Sequence, residues 1–420
     1  MSNPTAKQIT GPIDPERRLD AVDMVRGFAL FGVLLVNMYN FGASDPLNWG
    51  APIDELAFSV KRFFFETKSW RLFSFLFGFG FALQMLRAEQ RGARFLPFYL
   101  RRLAVLFVIG MGHSLLYDGD ILMYYAELGL ILMLFRKVPP NVLLVVSAIL
   151  IMAFPVERAV TSLLEGPQEI SSFEVRIEES RARLEERRQS HPYSVGSIGD
   201  VMAHNAQEIP PNVLTDLRGP ESALATFAMF LLGLYAGRRR IFHDVETHRV
   251  LIRRVFVWGL SIGLLSMSGE RILHLTVGYS VFSSVQEATA LQQFIGDILF
   301  AFGSTALCLG YAAAIILAAQ HDGWKRIVSP LGPVGRLALT TYIVHTLMFT
   351  TLFYGYAFGQ VFRMGPAEMT AYAVLFFSIQ IVACAWWVRR FRFGPMEWLW
   401  RSLSYFRVQP IRIQPRAGTN

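Results

Sequence analysis

The sequence predicts an all-α integral membrane protein, a polytopic bundle of about ten transmembrane helices. Hydrophobic residues make up 53% of the 420 positions and charged residues only 17%, which is too apolar for an ordinary soluble protein. The apolar residues occur in blocks of about 20, the length at which a helix spans a bilayer. Arginine and lysine cluster beside the ends of these blocks, as they do in cytoplasmic loops of membrane proteins.

The order of the apolar blocks predicts the orientation of the chain. If every block crosses the bilayer, all the basic clusters fall on one side, so both termini are predicted to be cytoplasmic. These clusters include Arg26 before the first span, Arg101 and Arg102 before the third, and Arg389 and Arg390 after the tenth. The predicted spans cover residues 25–43, 70–88, 102–117, 120–135, 140–156, 221–237, 253–268, 291–319, 334–355 and 367–388.

The predicted spans divide the chain into two five-helix halves with a polar segment between them. The polar segment is predicted to lie outside the cell, as a solvated cap or a substrate gate, with a charged helix over Phe173–Gln189. The weakly apolar residues 269–290 are predicted to be interfacial or re-entrant. The predicted division is an N-terminal half at 1–156, the extracytoplasmic loop at 157–220, a C-terminal half at 221–392 and a cytoplasmic interfacial tail at 393–420.

A helical hairpin over Arg101–Lys137 places ionisable groups inside the membrane. Its two apolar runs are joined by the turn Asp118-Gly119-Asp120, and His113 and Glu127 lie within the runs. An ionisable residue within a span is by default a candidate for a functional site, because hydrocarbon penalises its burial. The alternative is a histidine that a neighbouring helix satisfies.

Helix geometry predicts that four polar residues from four spans meet near the middle of the membrane. His113 lies eleven residues beyond Arg102, about 16 Å along a helix, and Asn37 lies equally far beyond the first basic cluster. His345 and Glu127 are predicted at a similar depth. One shared polar cavity costs less than four separate burials, although each residue could instead pair with a nearby backbone carbonyl.

Several other chemistries lack their sequence signatures. Cys308 and Cys384 both lie inside apolar runs, so neither a disulfide framework nor a metal site is predicted. The net charge of +8 is placed beside the spans rather than on a solvated face, which argues against nucleic-acid binding. The chain contains no Walker A, Rossmann glycine, HExxH or GxSxG motif.

Four stretches and the tail FRFGPMEWLWRSLSY resemble the YeiB-like family of bacterial inner-membrane proteins, catalogued as domain of unknown function 418. The resemblance covers nearly the whole chain outside 157–220 and implies a multi-pass protein of the bacterial inner membrane. The stretches are RLDAVDMVRGFALFGVLLVN at 18–37, WRLFSFLFGFGFAL at 70–83, RRLAVLFVIGMGHSLLYDGDIL at 101–122 and LGPVGRLALTTYIVHTLMFTTLFYGYAFG at 331–359.

The opening Asp23-x-x-Arg26-Gly27 motif and Asn37 are also similar to the transmembrane acyltransferase superfamily, which includes heparan-α-glucosaminide N-acetyltransferase. This similarity implies transfer of an acyl group, here an acetyl group, from cytoplasmic acyl-CoA to an acceptor at or across the membrane. The chain departs from both patterns. Met38–Ser69 contains no histidine, where the heparan enzyme carries its reactive one, and His345-Thr346 stands where the YeiB-like family usually carries Gln-Ser.

For this chemistry we expect His113 to be catalytic, with Asn37, Asp120 and Glu127 beside it. A neutral imidazole suits a general base on an acceptor hydroxyl or amine, and it could instead carry the acyl group as a nucleophile. A nearby carboxylate could orient the ring. Asp118-Gly119-Asp120 also fits a solvated turn in which aspartate caps the next helix.

The donor and acceptor are expected to use different residues. Arg26, Arg101 and Arg102 are predicted to hold the phosphates of acyl-CoA, because guanidinium groups bind phosphate in a fork. Arg26 is also spaced to pair with Asp23. Ser74, Gly78 and Gly80 would line the path of the pantetheine arm, although paired glycines more often allow close helix packing. The residues assigned to the acceptor are Arg71, Asp118 and His345.

The expected partners are the lipid bilayer, acyl-CoA and an acceptor of unknown identity, and homo-oligomerisation is left open. A different class of function fits the same residues: a proton-coupled small-molecule transporter or flippase, since intramembrane histidine and carboxylates also build proton relays. Against it, the two halves show no sequence repeat of the kind many transporters carry. A third alternative is a structural membrane protein without chemistry.

Overall fold

Helices account for nearly all of the regular structure in the described residues. The computed structural model describes residues 20–42, 49, 51–92, 94–165, 173–208, 223–278 and 288–413. A short 3₁₀ segment, Met133–Lys137, continues α5. The helices are α1 (Asp20–Gly42), α2 (Pro52–Phe64), α3 (Lys68–Gln90), α4 (Phe95–Ser114), α5 (Ile121–Leu132), α6 (Pro140–Glu165), α7 (Phe173–Ser190), α8 (Pro192–Val195), α9 (Ile198–Glu208), α10 (Ala223–Arg238), α11 (Arg249–Val277), α12 (Ala290–Ala319), α13 (Asp322–Val328), α14 (Leu331–Arg336), α15 (Ala338–Phe353), α16 (Pro366–Val388) and α17 (Pro395–Tyr405).

The helices confirm the predicted fold class, a multi-pass helical membrane bundle. Seven helical segments of the described chain are long and apolar enough to cross a bilayer: α1, α2 with α3, α4, α6, α11, α12 and α16. Two shorter apolar helices, α10 and α15, accompany them. Each of the ten predicted apolar blocks overlaps a helix. The number of crossings and the cytoplasmic location of the termini remain predictions.

The bundle has two ends, which we call basal, where α1 begins, and apical, where α1 ends. At the basal end, Arg26 donates a hydrogen bond to the carbonyl of Gly335, next to α15. At the apical end, the amide of Phe362 donates to the carbonyl of Gly42. α1 contacts α3, α12, α14, α15 and α16, so it lies at the centre of the bundle.

Glycines let pairs of helices approach closely. A Cβ at Gly263 of α11 would lie 2.8 Å from the amide nitrogen of Leu307 in α12. Likewise, a Cβ at Gly78 of α3 would lie 2.8 Å from Cα of Phe230 in α10. Small residues allow such backbone contact, which is a main source of packing energy between helices in lipid. Of the two predicted roles for Gly78, close helix packing and a path for the pantetheine arm, the contacts support packing. Helix α10 fills the space that a pantetheine arm would need at this position.

The predicted second span, 70–88, lies within α3. The candidate membrane segment that contains it is longer and runs over Pro52–Gln90 as two helices, α2 and α3, separated by a break at 65–67. Its hydropathy is low at the break because Lys61, Arg62 and Glu66 lie there. The break is inside the bundle: Ser69 Cβ would lie 2.7 Å from a Cβ at Gly32, midway along α1.

One other boundary also differs from the prediction. α11 continues to Val277, so residues 269–277, predicted to be interfacial or re-entrant, are regular helix, and residues 279–287 lie outside the described residues. Glu270, which lowers the hydropathy there, is paired with Arg62 at 3.3 Å. The charged stretch after residue 173 is helical as predicted. Side chains of residues 173–181 lie outside the described side chains.

Candidate functional site

His113 lies at the apical end of α4, one residue before the helix ends at Ser114. The sequence predicts a position near mid-membrane if Arg102 marks the basal edge of the membrane. However, α4 begins at Phe95, so the arginine lies two turns inside the helix. The histidine side chain is buried, with 2% of its surface exposed. The site therefore lies toward the apical end of the bundle.

Asp120 holds the imidazole of His113 from the first residue before α5. Its Oδ1 accepts a hydrogen bond from His113 Nδ1 at 2.7 Å. Its Oδ2 accepts from the amide of Met123 at 2.8 Å, which is the N-cap contact that aspartate commonly makes. The predicted capping role and the predicted orienting role are thus filled by the two oxygens of one carboxylate.

Gly110 allows α4 and α5 to come close enough for this pair. A Cβ at that position would lie 2.8 Å from Asp120 Oδ2 and 2.9 Å from Cα of Met123. Residues 110 and 113 are three apart and therefore share one face of α4. In contrast, Gly112 faces open space, with no atom within 4 Å of a built Cβ.

Thr346 of α15 completes a three-residue hydrogen-bonded chain. Its Oγ1 lies 2.8 Å from His113 Nε2, and its side chain is almost fully buried. An ionised carboxylate only accepts hydrogen bonds, so Asp120 assigns the ring proton to Nδ1. The unprotonated Nε2 then accepts a hydrogen bond from the Thr346 hydroxyl. Carboxylate, imidazole and hydroxyl follow one another in the order seen in Ser-His-Asp hydrolases.

Aromatic side chains surround the imidazole and exclude water from it. The ring centroid of Tyr342 lies 5.0 Å from that of His113, and the ring centroid of Tyr117 lies 6.1 Å away. The Tyr342 hydroxyl also accepts a hydrogen bond from the amide of Ile121 at 3.4 Å. Electrostatic and hydrogen-bond interactions are stronger in such a dry site than in water.

A cavity of about 330 Å³ adjoins this site on the apical side. Tyr117 belongs to both, because its ring packs against His113 and also lines the cavity. The rings of Tyr193 and Tyr354 stack there with centroids 4.6 Å apart. The residues lining the cavity are Asn40, Phe41, Tyr117, Asp118, Gly119, Tyr193 and Tyr354.

The polar segment between the two halves contributes to this cavity. Tyr193 comes from α8, and its hydroxyl donates to Asn205 of α9 at 2.6 Å. The amide of Asn205 in turn donates to the carbonyl of Leu115, just after His113. The described part of 157–220 therefore packs on the apical end beside the site, and it does more than cap the bundle with solvated surface.

The ring nitrogens of His113 bond to Asp120 and Thr346, and neither bonds to the predicted Asn37 or Glu127. His345 points elsewhere: its Nε2 donates to Gln380 Oε1 of α16 at 2.8 Å. The reason is helical geometry, since consecutive residues point about 100° apart and only Thr346 faces α4.

The predicted donor residues lie at the basal end, in contacts of their own. Arg26 pairs with Asp23 at 2.6 Å, as their spacing predicted. Arg102 lies over the ring of Trp400 at 3.9 Å, and the Trp400 indole donates to the Arg102 carbonyl. Arg101 lies over Phe406 at 5.2 Å. The tail helix α17 and Phe406, the residue just after it, therefore pack against the two arginines of α4.

The remaining predicted residues belong to α3. Ser74 is buried, lies 2.6 Å from the hydroxyl of Tyr125 and donates to the carbonyl of Trp70. Arg71 is also buried and donates to the carbonyl of Ala301 at 2.9 Å. It further contacts the hydroxyls of Ser304 and Thr305 on α12. Gly80 faces open space. None of these contacts involves His113.

Sequence reasoning missed Thr346, Tyr342 and the cavity residue Tyr193. A signal for Thr346 was present, because the family pattern places serine there and both residues carry a hydroxyl. Thr346 and His113 are separated by 233 positions, so nothing local to either residue could pair them.

Comparison with known proteins gives relatives over nearly the whole chain. A family described as "Protein of unknown function (DUF418)" matches residues 236–407, which include Thr346. The "Uncharacterized protein YxaH" of Bacillus subtilis (strain 168) is 32% identical over 420 residues, covering 95% of this chain and 97% of that protein. The "Uncharacterized protein YeiB" of Escherichia coli (strain K12) is 28% identical, covering 93% and 97%.

Proposed function

The chain belongs to the DUF418 family, and we propose that it is a membrane-bound acyltransferase of the bacterial inner membrane in which Thr346 carries the acyl group. The observation that supports this proposal is the Asp120–His113–Thr346 chain of hydrogen bonds at 2.7 and 2.8 Å. A buried base that contacts both an orienting carboxylate and a hydroxyl is the arrangement that activates a nucleophile.

In the first half-reaction, Thr346 Oγ attacks the carbonyl carbon of the acyl thioester. His113 Nε2 accepts the hydroxyl proton as the new carbon–oxygen bond forms. The carbon–sulfur bond breaks, and His113 returns the proton to the leaving thiolate. Asp120 stabilises the imidazolium during this step and keeps the ring proton on Nδ1. The products are free CoA thiol and an ester on Thr346.

In the second half-reaction, a hydroxyl or amine of the acceptor attacks that ester. His113 takes the acceptor's proton and gives it to Thr346 as the ester bond breaks, which restores the starting state. The apical cavity is the proposed place for the acceptor, because Tyr117 lies between it and His113. Asp118 lines that cavity and offers an acceptor of hydrogen bonds to a substrate hydroxyl.

We place the donor at the basal end, beside Arg26, Arg101 and Arg102. A helix of eleven residues separates Arg102 from His113, about 16 Å, so the thioester has to extend through the bundle to meet Thr346. Trp400 of α17 contacts Arg102, and Phe406 just after α17 contacts Arg101, so the tail borders this entrance. Binding of the donor is then expected to change the environment of Trp400.

The proposal is tested by trapping the acyl-enzyme. Purified protein in nanodiscs is incubated with labelled acetyl-CoA and no acceptor, then digested, and the labelled peptide is identified by mass spectrometry. We expect label on the peptide that contains Thr346, with release of one CoA per labelled chain. Thr346→Ser should keep the label, whereas Thr346→Val and His113→Ala should lose it.

Thr350→Val is the matched control, because Thr350 is one turn away on the same face of α15 and bonds only to a carbonyl of its own helix in the contacts seen. It should label like the wild type. Label on His113 would make the histidine the carrier. CoA release that requires acceptor and survives Thr346→Val would indicate direct transfer instead.

A transporter or flippase is the second candidate, and the break in the Pro52–Gln90 segment favours it. Discontinuous membrane helices with charged groups at the break form the ion and substrate sites of many transporters. Here Lys68 and Arg71 follow the break and are buried. If no CoA is released at millimolar acetyl-CoA, and Lys68→Met abolishes lipid or solute movement in proteoliposomes, the transport hypothesis is preferred.

A further inference from the structure

Tyr193 attaches the polar segment between the two halves to the apical end of the bundle. We call residues 182–208, which comprise the end of α7 with α8 and α9, the lid. The ring of Tyr193 stacks on the ring of Tyr354 with centroids 4.6 Å apart and an angle of 7° between the planes. The Tyr193 carbonyl accepts a hydrogen bond from the amide of Gly355 at 2.8 Å. Because Tyr193 also lines the apical cavity, its position decides how far the lid covers that cavity.

The lid makes further hydrogen bonds to the bundle, and one of them depends on Tyr193. The Tyr193 hydroxyl donates to Asn205 Oδ1 at 2.6 Å, and the Asn205 amide donates to the carbonyl of Leu115 at 3.1 Å. Arg188 donates to the carbonyl of Phe362 at 2.7 Å. A displacement of Tyr193 would therefore break its own contacts and also release the side chain that orients Asn205.

A neutral histidine holds Tyr193 in this position. His191 is the N-cap residue of α8, and its Nδ1 accepts a hydrogen bond from the amide of Tyr193 at 3.2 Å. An imidazole nitrogen that accepts a hydrogen bond carries no proton, so this contact requires the neutral ring with its proton on Nε2. Protonation would place a second N–H on Nδ1, directly opposite the amide N–H of Tyr193. Two donors would then face each other, and the helix cap would be lost.

The groups around His191 come from both the lid and the bundle. The ring of His204 in α9 lies 5.2 Å away and the ring of Phe362 lies 6.2 Å away, measured between centroids. Burial, together with His204 and Arg187, lowers the pKa of His191 below its usual 6.5, and Asp118 opposes part of this shift. Among the described residues, the titratable or charged groups beside this ring are His204, Arg187 and Asp118, with the Tyr193 phenol and with Arg188 on the Phe362 carbonyl.

The sign of the pH dependence follows from these surroundings. The closed lid favours neutral His191, whereas a lid detached from the bundle leaves this side chain closer to its ordinary pKa of 6.5. The stability of the closed lid is therefore complete above about pH 6.5 and is lost as the pH falls toward the lower pKa of the closed state.

We propose that the lid is a pH-sensitive cover of the apical cavity, closed while His191 is neutral and open when His191 is protonated. Protonation removes the acceptor of the Tyr193 amide, so Tyr193 turns away from Tyr354 and the bond from the Gly355 amide breaks. Asp118 attracts the charged ring but gives the Tyr193 amide no new acceptor. Access to the cavity is then controlled by the pH on the apical side. The proposal does not depend on acyl transfer, because the same cover would serve a transported solute.

Hydrogen–deuterium exchange of the full-length protein in detergent tests this proposal without any turnover. Exchange is compared at about pH 7.5 and about pH 5, on either side of the ordinary histidine pKa, with times scaled for the intrinsic pH dependence of amide exchange. The peptide that contains Gly355 reports the bond to Tyr193. Loss of an N-cap of ordinary strength changes an equilibrium about fivefold. The protection of this peptide should therefore fall at least about fivefold at the lower pH.

Three variants separate the histidine switch from a general effect of acid. His191→Asn should keep the cap but not titrate, so its protection should be the same at both pH values. His321→Asn is the matched control, because His321 is also an N-cap residue, of α13, but makes no side-chain cap bond there. It should keep the pH dependence of the wild type. His204→Gln removes a group that opposes the charge on His191, so opening should begin at a higher pH.

Several results would overturn the proposal. In the wild type, equal protection of the Gly355 peptide at the two pH values would exclude opening. A pH dependence that survives in His191→Asn, or opening that moves to lower pH in His204→Gln, would show that another group is responsible. Loss of protection in α1 together with the lid would show that acid unfolds the whole bundle instead.

Discussion

Replacing Gly110 by alanine should separate Asp120 from His113. The new Cβ would lie 2.9 Å from Cα of Met123 and 2.8 Å from Asp120 Oδ2. Carbon atoms in good contact are about 3.5–4.0 Å apart, so α5 has to move away by roughly 0.6–1 Å. Added to the present 2.7 Å, this displacement takes the Asp120–His113 distance beyond a normal hydrogen bond.

Two magnitudes follow from that displacement. Overpacking a close helix contact costs about 1–3 kcal/mol of stability. A misplacement of about 1 Å in a catalytic group lowers activity roughly 10²-fold. We therefore expect Gly110→Ala to lower the midpoint of thermal unfolding measurably and to reduce acyl-enzyme formation about 100-fold.

Gly112→Ala provides the matched control, on the same helix two residues away. No atom lies within 4 Å of its built Cβ, so the variant should fold and label like the wild type. Both variants are compared by thermal unfolding in detergent and by labelling with acetyl-CoA. If Gly110→Ala is as stable and as active as Gly112→Ala, the close approach of α4 and α5 does not set the site.

Three further outcomes are expected. Asp120→Asn should keep the helix cap, since asparagine caps as well as aspartate, but its labelling rate should fall about 10²- to 10⁴-fold. Asp120→Ala should lose the same activity and also about 1 kcal/mol of stability, which thermal unfolding measures. Burial raises the pKa of the Glu397 carboxyl above its usual 4.5, despite the hydrogen bonds it accepts from Thr340 and from the Leu339 amide. The stabilising contribution of this carboxyl is therefore complete below that pH and is lost as the pH rises through the folded-state pKa. The melting temperature of the wild type relative to Glu397→Gln should fall as the pH rises above about 4.5, and a pH-independent difference would contradict this. In intact cells, an impermeant reagent should label a cysteine placed at Ser190 but not one placed at Thr419, because these positions are predicted to lie on opposite sides of the membrane. Equal labelling of the two would refute the predicted topology.

The sequence alone determined the features that depend on neighbours along the chain. Apolar blocks of spanning length predicted helices because every backbone group in lipid must bond within its own segment. The pair Asp23–Arg26 and the N-cap of Asp120 were also predictable, since their partners lie three residues away. The class of the fold and its membrane location follow from these local properties.

Only the tertiary structure decided which polar groups meet. Helices that are apolar on all sides give no period that identifies their inward face, so the rotation of α15 could not be read from its sequence. That rotation directs Thr346 toward His113 and His345 toward Gln380. The sequence did not indicate α2 for the same reason. The charged end of this helix lowers its hydropathy, and Glu270, which pairs with Arg62 of α2, lies 208 residues further along the chain. Contacts between polar groups on different helices depend on how those helices pack together, because each group's partner lies far away in the sequence.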